Sequence, residues 1–280
     1  MKLSLCTISF RHQLISFEEI VQFSHDNHFD GIELWGIHAK NLYQEKERDK
    51  YVSLLKKYGL EISMISDYLD ISQTENMEST LFKMKELSDI ALYFGAKRIR
   101  TFAGQKPSEQ VNKDERRRYI SHLRNLCDIC KENGLFLLVE THPNTLADSL
   151  TSTVRLIEEV NHDALKINLD FLHLWENGDH PVECFKKLEP FVQHYHLKNI
   201  SSASLLDVFE PYNVYMANGS RLGMTPLHQK GIIDYEEIYD LILPTDHFAS
   251  LEWFGPNAKQ VIANDSNWLQ NKMTSAITQV

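Results

Sequence analysis

The sequence of 280 residues has little cysteine, few basic residues for its length and no long apolar run. Four cysteines, Cys6, Cys127, Cys130 and Cys184, are too few to staple a chain of this length, which excludes a disulfide framework. Cys127 and Cys130 form one C-x-x-C in a helix-like stretch, without the second pair that a zinc site needs, so both read as core residues. The longest apolar stretches, such as residues 135–139, fall far short of the ~20 residues that cross a bilayer, so no membrane partner is expected. Lys and Arg number 29 against 39 Asp and Glu, a formal charge of −10. A phosphate-backbone binder needs a basic face, so no nucleic-acid partner is expected either. Residues 1–6 look like the start of a signal peptide, but Ser9, Arg11 and His12 interrupt them and no cleavage site follows, which points to the cytoplasm. No glycine-rich phosphate loop follows the first strand; residues 7–12 read Thr-Ile-Ser-Phe-Arg-His.

What the sequence does have is alternation. Short β-branched and apolar runs predict strands at 3–8, 31–35, 61–66, 97–102, 135–140, 165–170, 192–198 and 248–253. Longer amphipathic runs predict helices at 17–25, 45–58, 76–94, 113–133, 151–160, 181–188, 235–243 and 256–271. Gly59, Gly95 and Gly134 follow three charged helices, as left-handed caps do. Eight strand-then-helix units in this length fit an α/β fold, a (β/α)8 TIM barrel, forming a single domain over residues 1–280. A doubly wound open sheet is the alternative, weakened by the missing phosphate loop. The connection at 199–231 is unusually long and carries little helical pattern. It holds Phe209, Tyr212 and Tyr215, and is expected to cover the active site.

In a barrel, the active site lies at the C-terminal strand ends. Four consecutive strands end there in ionisable residues: Glu140 and His142, Asp170, His196 and Lys198, and Glu252. Strand side chains alternate faces, so residues two apart share one. If Glu140, Asp170, His196 and Glu252 all point inward, they converge as a metal-binding set. Three carboxylates and an imidazole are a hard, oxygen-rich set that suits Mn2+ or Mg2+ better than structural zinc. Without a cation they would repel and raise one another's pKa.

Other candidates lie nearby. Arg100 in the fourth strand has a planar fork suited to a substrate carboxylate or to a strand-end acid. Tyr68 follows the third strand and His173 follows Asp170, both within reach of a substrate. Glu33 ends the second strand as either a supporting acid or part of a helix-side ion pair.

The motifs Glu-Thr-His-Pro-Asn-Thr at 140–145, Ile-Asn-Leu-Asp-Phe-Leu-His at 167–173 and His-Tyr-His-Leu-Lys-Asn at 194–199 resemble the xylose-isomerase-like TIM barrels, the sugar-phosphate isomerase/epimerase superfamily. Within it they are similar to the bacterial 3-dehydroshikimate dehydratases of petrobactin-type siderophore biosynthesis. So are Ser-Asp-Tyr-Leu-Asp at 66–70, Ile-Arg-Thr-Phe-Ala-Gly-Gln at 99–105 and Ser-Leu-Glu-Trp-Phe-Gly at 250–255. The resemblance runs over nearly the whole chain and is weak only in the charged helix at 45–57 and the C-terminal tail.

The resemblance implies that Glu140, Asp170, His196 and Glu252 bind a divalent metal, Mn2+ with Mg2+ or Co2+ as alternatives. It implies catalytic roles for His142 and Lys198, and a substrate pocket shaped by Tyr68, Arg100, His173, Phe209 and Phe254. The implied reaction converts 3-dehydroshikimate, a cyclic carboxylate, to 3,4-dihydroxybenzoate (protocatechuate) and water through a metal-stabilised enolate. The product would feed a siderophore or arise in quinate and shikimate catabolism. A base with a pKa near working pH fits His142 by type, and Lys198 is suited either to hydrogen-bond an oxyanion or to protonate the leaving hydroxyl; the proton taken is either the one α to the ketone or a vinylogous one at the ring CH2. The competing reading is a sugar or keto-acid isomerase or epimerase using Glu140 and Glu252 as acid and base. An apurinic-site endonuclease would need more histidine ligands and a basic face. A non-catalytic binding protein would give no aromatic product. A homodimer is expected only from the frequency of such oligomers.

Overall fold

The computed structural model describes residues 1–72 and 77–277. Eight strands form a closed barrel: β1 (Lys2–Cys6), β2 (Gly31–Trp35), β3 (Glu61–Ser66), β4 (Arg98–Thr101), β5 (Phe136–Glu140), β6 (Leu165–Asp170), β7 (Val192–Leu197) and, last in the chain, β10 (Phe248–Leu251). Their order around the barrel is β1, β10, β7, β6, β5, β4, β3, β2. β1 pairs with β10, β3 with β4, β4 with β5 and β5 with β6, all in parallel. The predicted fold class is therefore the observed one.

Two compact units divide the chain. One comprises residues 1–32, 49–61 and 196–280, the other residues 33–48 and 62–195. In the first, helix α1 (Phe17–Asp26) packs against α3 (Asp49–Tyr58), and Leu3 and Leu5 of β1 are fully buried. In the second, α4 (Met77–Phe94) packs on α5 (Lys113–Glu132), and α5 on α6 (Leu150–Val160). Caps explain where two of these helices begin. Ser16 and Glu19 form a capping box on α1, and Asn112 and Glu115 form one on α5. Gly59, Gly95 and Gly134 all take the positive φ expected of them. Cys127 and Cys130 are buried on α5 with free thiols, as a core reading requires. Burial pushes the Cys130 thiol up to about 12.

Several boundaries differ from the sequence reading. The helix expected at 45–58 starts later, at Asp49, as α3, and an unexpected helix, α2 (Gly36–Gln44), precedes it and ends at Glu45, whose backbone is extended. No side chain caps α2 and no acid lies in its first turn, so nothing local announces it. The predicted start of the helix at 76–94 lies outside the described residues; α4 is described from Met77. Strand 1 stops at Cys6 and gives way to a 3-10 turn, Thr7–Phe10. The connection at 199–231 is more structured than its pattern suggests. It holds two short antiparallel strands, β8 (Asn199–Ile200) and β9 (Met224–Thr225), a 3-10 segment Ala203–Phe209 and a short helix α9 (Pro211–Tyr215). Helices α8 (Pro181–Leu188) and α10 (Tyr235–Ile242) lie where predicted, and α11 (Ala258–Ile277) runs past its predicted end.

Candidate active site at the strand ends

The residues of β4, β5 and β6 form one cluster. Register pairs Arg100 with Leu138 and Glu140 with Asn168, and paired residues of parallel strands stand on one face. Arg100, Glu140, Asn168 and Asp170 therefore share a face, and all are buried. Arg100 Nε lies 2.9 Å from Glu140 Oε2. The rings of Tyr68 and Phe102 each centre 5.0 Å from its guanidinium carbon. Two aromatic faces and one carboxylate thus fix a cation that stays charged at any working pH.

Asp170 ends β6 and caps the next helix, α7 (Phe171–Glu176): its Oδ1 accepts from Leu172 N and His173 N. That short helix, absent from the sequence reading, aims His173 back at the strand end. His173 Nε2 comes within 3.8 Å of Asp170 Oδ2, and Nδ1 lies 3.2 Å from Glu176 Oε1. His173 is 2% exposed, so it is no loop histidine. Its ring centre lies 4.4 Å from that of His142, and the His142 ring centre lies 4.2 Å from that of Phe102. His142 Nδ1 lies 2.8 Å from the carbonyl oxygen of Pro143. A carbonyl only accepts, so Nδ1 carries the proton and the neutral ring has its lone pair on Nε2. That is the tautomer a general base needs.

The ends of β7 and β10 carry a second cluster. Lys198 Nζ donates to Glu252 Oε2 at 2.7 Å, and His196 Nδ1 lies 3.4 Å from the same oxygen. All three side chains are buried. Tyr235 holds the Lys198 backbone from both sides: its hydroxyl accepts from Lys198 N and donates to Lys198 O. The Lys198 ammonium lies 5.3 Å from the Phe209 ring centre and 5.7 Å from that of Phe254, and those rings meet edge to face at 5.9 Å. Phe209 closes the 3-10 segment of the long connection, so that connection brings an aromatic wall to the lysine.

Glu140, Asp170, His196 and Glu252 each offer a ligand atom, and these atoms all lie within 4.8 Å of one another. The set is fully buried, oxygen-rich and carries three carboxylates, so a divalent cation fits its chemistry. The structure thus brings together the residues the sequence singled out. It adds Phe102, Tyr235 and Asn168, which sequence reasoning missed. Phe102 ended a predicted strand and carried no polar signal; Tyr235 opened a predicted helix.

A family model described as the xylose isomerase-like TIM barrel matches residues 21–272. A 3-dehydroshikimate dehydratase of Bacillus anthracis is 54% identical over 280 residues, covering 99% of this chain and all of that protein. The crystal structure of the probable 3-DHS dehydratase involved in petrobactin synthesis from Bacillus anthracis aligns with a TM-score of 0.94 and 53% identity, over 96% of this chain and 99% of that one. A xylose isomerase-like TIM barrel protein from Mycobacterium smegmatis, solved in complex with magnesium, aligns with a TM-score of 0.73 and 23% identity, over 98% of this chain and 97% of that one. The closed parallel barrel and the family match agree: this chain belongs to the xylose isomerase-like TIM barrel family.

Proposed function

We propose that this chain is a 3-dehydroshikimate dehydratase, converting 3-dehydroshikimate to 3,4-dihydroxybenzoate and water. Full-length identity of 54% to a protein of that name supports the activity. The observation that carries the chemistry is the buried cluster of Glu140, Asp170, His196 and Glu252. These four would hold a divalent cation, Mn2+ with Mg2+ or Co2+ as alternatives. When bound, that cation supplies a Lewis acid for the substrate's carbonyl oxygen.

The remaining work falls to the chain's own groups. His142 Nε2, with its lone pair exposed by the Nδ1–H bond to Pro143, takes the proton from the ring carbon. The C–O bond to the ring hydroxyl breaks, and Lys198 gives that oxygen the proton with which it leaves as water. Loss of water and tautomerisation leave the aromatic diol. Arg100 supplies positive charge beside Glu140 for the substrate carboxylate. Tyr68, His173, Phe209 and Phe254 line the ring-binding volume, and an aromatic wall suits a cyclic acid better than a polyol. The long connection covers this site through Phe209. Division into two units falls inside β2, β3 and β7, so we read the chain as one catalytic domain. No helix among the described residues is long and apolar enough to cross a membrane, in keeping with a cytoplasmic enzyme, which we take to act as a homodimer. The involvement of that Bacillus anthracis protein in petrobactin synthesis makes siderophore supply the favoured use of the product.

The test is a metal-depleted sample given 3-dehydroshikimate, with Mn2+, Mg2+, Co2+ and Zn2+ restored in turn. An ultraviolet-absorbing catechol should form only after restoration. No 3,4-dihydroxybenzoate with any of the four overturns the proposal.

A further inference from the structure

Below the strand ends, on the face that points at the four-residue cluster, lies an acid with no role so far. Glu33 of β2 is completely buried. A buried carboxylate is costly to keep charged unless donors surround it. His194 Nε2 lies 3.4 Å from Glu33 Oε2, and His194 is also fully buried. His194 precedes His196 by two residues on β7, so both imidazoles stand on one face of that strand. Glu33, His194 and His196 offer ligand-type atoms that lie within 4.8 Å of one another. Cys6 and Glu252 also come within that distance of Glu33.

His196 Nδ1 faces Glu252, the acid side of the cluster. The two nitrogens of an imidazole point apart, and Glu33 and His194 each place a ligand-type atom within 4.8 Å of a His196 nitrogen. Histidines that bind metals through one nitrogen usually donate the other N–H to a carboxylate, which sets the tautomer and the ring's orientation. We infer that Glu33, braced by His194, is a positioning residue for His196: it holds the proton on His196 Nε2 and so presents the Nδ1 lone pair to the cation. This rests on the proposed metal site, and Glu33 itself touches neither substrate nor the reacting atoms.

The test measures Mn2+ binding without substrate, by calorimetry, in the wild type and in Glu33→Gln. The glutamine keeps the shape and loses the charged acceptor. The Mn2+ dissociation constant should rise about 10- to 100-fold. Glu33→Asp, with a shorter reach to the same charge, should fall between the two. Binding by Glu33→Gln within twofold of the wild type overturns the inference. A second measurement is made without metal: nitrogen-15 histidine spectra should show His196 protonated on Nε2 in the wild type and should lose that preference in Glu33→Gln. Protonation on Nδ1 overturns the inference, and a merely structural glutamate would not set this tautomer. A wild type that binds neither Mn2+ nor Mg2+ removes the metal reading itself, whereas tight wild-type binding with an unaffected Glu33→Gln removes only the role of Glu33.

Discussion

Two buried ion pairs, one at the end of β5 and one at the ends of β7 and β10, look alike and differ in kind. Arg100 meets Glu140 at 2.9 Å and Lys198 meets Glu252 at 2.7 Å. Each cation also faces two aromatic rings, Tyr68 and Phe102 in one case, Phe209 and Phe254 in the other. The guanidinium cannot release a proton in water, whereas an ammonium can. On the roles proposed above, the same arrangement of acid, cation and rings would serve binding at Arg100 and proton transfer at Lys198. The lesson is that charge and distance do not assign a role; the chemistry of the cation does.

Substitutions can break this contrast. The largest effect is expected beside the arginine pair, where His142 is packed against Phe102 and His173. His142→Ala should lower kcat by roughly 10^2- to 10^4-fold, the usual worth of a positioned base, with Mn2+ binding retained. A near-normal kcat with metal bound would remove His142 as the base.

Swapping the cations tests the two pairs directly. Lys198→Arg preserves charge and removes a transferable proton, so kcat should fall by about 10^2-fold with KM little changed. Arg100→Lys keeps a charge but loses the fork, so KM should rise about 10-fold, the worth of roughly 1.4 kcal/mol, with kcat less affected. Steady-state kinetics on both variants decides: equal losses of kcat in the two would erase the distinction drawn above. A smaller effect is expected from Phe102→Leu, which removes one aromatic face from Arg100 and one from His142. It should raise KM only a few-fold, because Tyr68 keeps its ring on the guanidinium.

The smallest effect lies far from both pairs, at the start of α5. Lys106 and the Asn112 N–H hold the Glu115 carboxyl below its ordinary value of 4.5. A lowered carboxylate contributes stability above its unfolded value and loses it as pH falls through the folded one. The thermal midpoint of Glu115→Gln should therefore sit slightly below the wild type at pH 7, with the gap closing under acid. Asn112→Ala, which removes the cap itself, should cost about 1 kcal/mol. Thermal melts of Glu115→Gln at pH 7 and pH 3, and denaturant melts of Asn112→Ala, check both.

Much of the site was readable because barrel geometry makes position in the chain informative. An acid or imidazole at a strand's C-terminal end has few places to go, so Glu140, Asp170, His196 and Glu252 could be grouped before any coordinate was known. Residues whose role comes from a neighbour in space were not readable. Phe102 looks like any apolar strand residue until its ring is seen against His142 and Arg100. Helix α7 is not announced because its cap, Asp170, reads first as a strand-end ligand, and one side chain both caps α7 and joins the four-residue cluster. Arg100 was weighed between a substrate carboxylate and a strand-end acid, and only the fold places it on Glu140.

By itself, the amino-acid sequence determined the βα alternation, the eight-unit count and the residue types at each strand end, since periodicity and side-chain chemistry are local. Tertiary structure alone decided which of those groups meet and what holds them. It set the tautomer of His142 through Pro143, the pairing of each cation with its carboxylate, and the burial of Glu33 beside His194. These depend on strand register and closure, through which residues far apart in the chain come within hydrogen-bonding distance, and no local pattern encodes that distance.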